Sequence, residues 1–89
     1  MNAILTVVGK DKVGIIAAVS AVLAKLNINI LDINQTVMKE YFTMIMLVDI
    51  EKSNVPFDEI KKTLGELSEE IGLEIRIQRD EIFKSMHRI

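Results

Sequence analysis

Two strand-helix-strand patterns follow one another along this chain, and that order constrains its fold more than any single residue does. Residues 2 to 9 are mostly β-branched and apolar and stop at Gly9, as in a strand buried on at least part of both faces. From Val13 the period changes. Ile15, Val19, Val22 and Leu26 recur at helical spacing, and Ile16 and Leu23 widen the stripe. Asp11 stands just ahead of this helix, where a carboxylate can accept the unpaired N–H groups of the first turn. Asn27-Ile28-Asn29 ends the helix, and Ile30 to Met38 then reads as a strand with one partly exposed face.

Lys39-Glu40 is the expected tight turn, and Tyr41 to Ile50 returns as a long strand, so the two strands form an antiparallel hairpin. Pro56 suits the first turn of a second helix, in which Ile60, Leu64, Leu67 and Ile71 hold the helical period until Gly72 stops it. Glu66, Glu69 and Glu70 fall on the polar side of that helix and read as a solvated face. Leu73, Ile75 and Ile77 alternate with Glu74, Arg76 and Gln78 as a last, half-exposed strand. A short tail helix through Ile82, Phe83 and Met86 is expected to follow. The simplest packing is an α+β fold of the ferredoxin-like βαββαβ kind, a four-stranded antiparallel sheet with both helices on one face.

A length of 89 residues leaves room for one core, so a single domain over 1–89 is expected. Hydrophobic residues make up 49% and charged residues 27%, the balance of a folding globular chain. The absence of cysteine excludes disulfides, thiolate metal sites and a cysteine nucleophile, and points to a cytoplasmic setting. No apolar run approaches the roughly 18 residues of a membrane span. A net charge of −2 gives no electrostatic footprint for nucleic acid. An RNA-binding sheet would stack bases on aromatics, yet only Tyr41 and Phe42 lie on an expected strand, on opposite faces.

Enzymatic chemistry finds little support. His87 is the one histidine, near the C-terminus; the serines at 20, 53, 68 and 85 have no nucleophile elbow, and no metal-ligand spacing occurs. An acylphosphatase-like reading would need an arginine in the first loop, which carries lysines instead. No cofactor is implied. The third strand is apolar on the Phe42, Met44, Met46, Val48, Ile50 face and also carries Ile45 and Leu47 on the other. Two helices cannot cover both faces, so a second copy of the chain, or the tail folding back, is expected to cover the remainder.

Gly9-Lys10-Asp11-Lys12-Val13-Gly14 joins a strand to a helix, where unpaired N–H donors and the positive end of the helix dipole favour an anion. The alternative is that Gly9 makes the turn and Gly14 packs the helix onto the sheet. The segment Val8 to Val19, followed by Leu26-Asn27-Ile28-Asn29-Ile30, resembles the start of an ACT domain. It is similar to small stand-alone ACT proteins, to the N-terminal domain of formyltetrahydrofolate deformylases and to regulators of the glycine cleavage system. The resemblance implies a regulatory module that binds an amino acid or another small metabolite between paired domains. It assigns the site to Asp11, Lys12, Val13, Gly14 and Ile15 in the loop, and to Asn27, Asn29 and Ile30 around the second strand. Val13 departs from the proline that many members carry before the second glycine. From the residues themselves, Asn29 reads equally as a solvent-facing residue or a helix-end contact, Asp11 as a cap and Lys12 as a solvated side chain. A module that binds only another protein therefore stays open beside the ligand-binding one.

Overall fold

A computed structural model of the protein describes residues 1–80. Its elements are β1 (Asn2–Lys10), α1 (Ile15–Lys25), β2 (Asn29–Met38), β3 (Tyr41–Asp49), α2 (Phe57–Ile71) and β4 (Glu74–Arg79). The sheet runs β2-β3-β1-β4 with every neighbouring pair antiparallel. This is the ferredoxin-like arrangement the periodicities predict. The expected tail helix, with His87, lies outside the described residues.

Period-two alternation sets the core. Ala3, Leu5 and Val7 of β1 lie beside Val48, Met46 and Met44 of β3, and beside Arg79, Ile77 and Ile75 of β4, all on the helix-facing side. Ile15, Val19 and Leu23 of α1 and Ile60, Leu64 and Leu67 of α2 close over them in one buried cluster. No helix among the described residues is long and apolar enough to cross a membrane.

Four expectations require correction. Gly9 does not turn the chain: it sits inside β1 opposite Phe42, and a Cβ there would overlap Cδ2 of Leu73. Gly14 does not pack α1 onto the sheet, since a Cβ at that position meets nothing within 4 Å. Its role is conformational, because φ is +88° at this N-cap, a value that L side chains rarely adopt. Asp11 does not cap α1, which begins at Ile15 rather than Val13; the cap is Gly14.

The fourth correction concerns β2, which is far more exposed than a strand with one covered face. It is an edge strand with a register shift between Ile30 and Asp32, and only Ile30 packs against the core. Ile33 and Val37 face the helix side, opposite Met46 and Phe42, yet remain 42% and 52% exposed.

Candidate functional site

The connection from β1 to α1 is held at three points. The backbone N–H of Asp11 donates to the carbonyl of Glu40 at 2.7 Å, tying the loop to the β2–β3 hairpin. Lys12 reaches the other way: its Nζ donates to the carbonyl of Ile71 at 2.6 Å. That carbonyl belongs to the last turn of α2, where the orphan acceptors and the negative dipole end favour a cation, and α2 has no basic residue of its own there. The carbonyl of Gly14 then accepts from the N–H of Ala18 at 2.9 Å, the first bond of α1.

The first-turn N–H groups of Ile15, Ile16 and Ala17 have no partner within the helix. They border an open cavity of about 280 Å³ whose other side is formed by Gln35, Val37 and Phe42. Val13 stands fully exposed ahead of it. Gln35 and Val37 were absent from the expected site. The signal for them is the hairpin: counting back from Lys39-Glu40 pairs Val37 with Phe42 and Gln35 with Met44, on the helix side.

Asn27 and Asn29 occupy the opposite end of the sheet. Asn27 adopts φ 61° just after the C-cap of α1, and its Nδ2 donates to the carbonyl of Lys52 at 2.8 Å. Asn54 closes the same corner by donating from Nδ2 to the carbonyl of Lys25 at 3.1 Å. Asn27 thus does the helix-end work that the sequence suggested for Asn29. Asn29 itself is exposed opposite Asp49, and with Ala24, Asn27 and Lys52 it lines a second cavity of about 490 Å³.

One chain does not bring the two groups together. Asp11 to Ile15 border the end of β2 that carries Gln35 and Val37, while Asn27, Asn29 and Ile30 lie at its beginning. At about 3.3 Å per residue, a separation of this kind spans roughly 20 Å or more.

The comparisons with known proteins place this architecture. A sequence model of the ACT domain matches residues 2–78, and the chain belongs to that family of regulatory, small-molecule-binding modules. A UPF0237 protein of Clostridium acetobutylicum is 58% identical over 89 residues, covering 100% of both chains. Among solved structures, an ACT domain protein from Streptococcus pneumoniae superposes with a TM-score of 0.82 at 43% identity, over 93% of each chain. The regulatory subunit of aspartate kinase from Thermus thermophilus gives 0.69 at 27% identity, covering 89% of this chain and 51% of that one. A formyltetrahydrofolate deformylase from Pseudomonas syringae shares the fold with a TM-score of 0.80 at 24% identity, over 86% of this chain and 26% of its own.

Proposed function

We propose that the protein is a cytoplasmic regulatory module that works as a homodimer and binds an amino acid between its two copies. The observation that carries this reading is the division of the expected ligand residues between the two ends of β2. An edge strand pairing antiparallel with its own copy about a two-fold axis near Ile33 sets the beginning of one β2 against the end of the other. Each loop from Asp11 to Ile15 then meets Asn29 and Ile30 of the partner subunit. An amino-acid carboxylate suits the first-turn N–H groups of α1, while the amide of the partner's Asn29 can accept from the ammonium group.

Two features support pairing at this edge. β2 is ten residues long and, among the described residues, has a strand on its β3 side alone; Leu31, Ile33, Val37 and Met38 are exposed and Asp32 is its single charge, the kind of edge that invites another strand. Above it, α1 presents no charged residue from Val13 to Ala24. The signal would be linkage: a ligand favouring one arrangement of the interface shifts that equilibrium by its difference in affinity between states.

Calorimetric titration of the full chain with the common amino acids tests the reading. At least one is expected to bind, and Asn29→Ala, which changes an exposed side chain, to weaken it about tenfold, as the loss of a charged hydrogen bond would. Binding by none of them overturns the amino-acid reading. The second reading, an interaction module without a ligand, is favoured by the outer sheet face, where Val8 and Ile45 are 41% and 44% exposed beside half-buried Ile4 and Leu47. It predicts a partner protein and no response to metabolites.

A further inference from the structure

The core-facing alternation of β4 is broken at its last residue. Leu73, Ile75 and Ile77 are buried, and the register sets Arg79 on the same face, opposite the buried Ala3. Its guanidinium lies over the ring of Phe57, 4.8 Å from the centroid. Its Nε is shielded from solvent and has no hydrogen-bond acceptor among the described residues. A desolvated donor without an acceptor is costly.

Beside this guanidinium lies a cavity of about 430 Å³ walled by Ile50, Val55, Pro56, Phe57 and Ile60. The volume is in the range of small-molecule sites, which combine apolar walls with a few polar groups that orient the ligand. Among the described residues, Arg79 is the one cationic side chain on the wall; the amino group of Met1, which also borders the cavity, is paired with Asp49 at 3.7 Å and with the one lining acid, Glu51, at 4.0 Å. The position is remote from Gly14: Arg79 pairs beside the beginning of β1, whereas the β1–α1 loop follows its end.

We propose that this cavity binds a small apolar monocarboxylate, with the carboxylate on the Arg79 guanidinium and the hydrocarbon body against Val55, Phe57 and Ile60. The planar fork of arginine matches a carboxylate, and stacking on Phe57 holds that fork in place before the ligand arrives. One cationic side chain against mostly apolar walls, with the Met1 amino group already engaged by two carboxylates, favours one negative charge on an apolar body over a phosphate or a dicarboxylate. The site lies within one chain and does not rest on the dimer or on the amino-acid reading.

The test is a ¹H–¹⁵N NMR titration of the full chain with isovalerate and with phenylacetate, using isovaleramide as the uncharged control. At least one acid is expected to give saturable shifts centred on Val55, Phe57 and Ile60, the amide none, and the signals of Gly14 and Asn29 to stay in place. Arg79→Met, which keeps an unbranched apolar stem, should weaken the acid at least tenfold, and Arg79→Lys less. Equal shifts from acid and amide, no saturable shift from either acid, or unchanged affinity in Arg79→Met would overturn the proposal. The acid-against-amide comparison uses the wild-type protein, so it decides the matter even if a variant folds poorly.

Discussion

A methyl group added at Gly9 would overlap Cδ2 of Leu73, whereas one added at Gly14 would meet open space. The two glycines therefore fail differently when replaced. Gly9→Ala has to displace a buried leucine and is expected to cost about 1–3 kcal/mol in urea denaturation. At Gly14 the cost is the left-handed backbone itself, about 1–2 kcal/mol for Gly14→Val and less for Gly14→Asn, because asparagine tolerates positive φ. Asn27 combines both effects: Asn27→Gly keeps the backbone and loses the bond to Lys52, while Asn27→Ala loses both and should melt lower. The special status of these residues was legible because glycine and asparagine punctuate a chain. Their partners were not, since Leu73 and Lys52 lie far along the sequence and meet them only through the sheet. Lys12 shows the same limit, for a solvated lysine and one bonded to Ile71 look identical in a sequence.

At the scale of elements, α2 was the plainest reading because one face is wholly apolar and the other carries most of its charge. Leu64, 1% exposed at the centre of its buried face, is expected to cost about 2–5 kcal/mol on replacement by alanine, read from the denaturation midpoint. The far end of that helix is electrostatically unfavourable: Glu69 and Glu70 stand in its last turn, and Lys12 from the β1–α1 loop supplies the nearby cation. Glu70→Lys should therefore raise stability by about 0.3–1 kcal/mol at low salt and by less at high salt. β2 was harder to read, because mixed polar and apolar residues fit either a half-covered strand or an uncovered edge. Its exposure follows from its place at the end of the order β2-β3-β1-β4, and long-range pairing of that kind leaves no local trace.

The whole molecule was legible as a fold and only in part as a site. Alternation and helical period are local properties, so they specified the architecture; the ACT resemblance then named residues that the structure sets at opposite ends of one strand. Ile33, exposed near the middle of β2, is where the proposed pairing is most vulnerable. Ile33→Lys is expected to shift sedimentation toward the monomer while leaving the circular dichroism of each chain unchanged. The separation along β2 also fixes how damaged subunits would combine. A Gly14→Val chain spoils the loop half of a site, and an Asn29→Ala chain spoils the strand half. When the two are mixed, each mixed pair holds one site with both faults and one with neither. Two preparations that fail alone should then regain ligand capacity on mixing, up to half of that in the mixed pairs, a complementation that a site confined within one chain would never show.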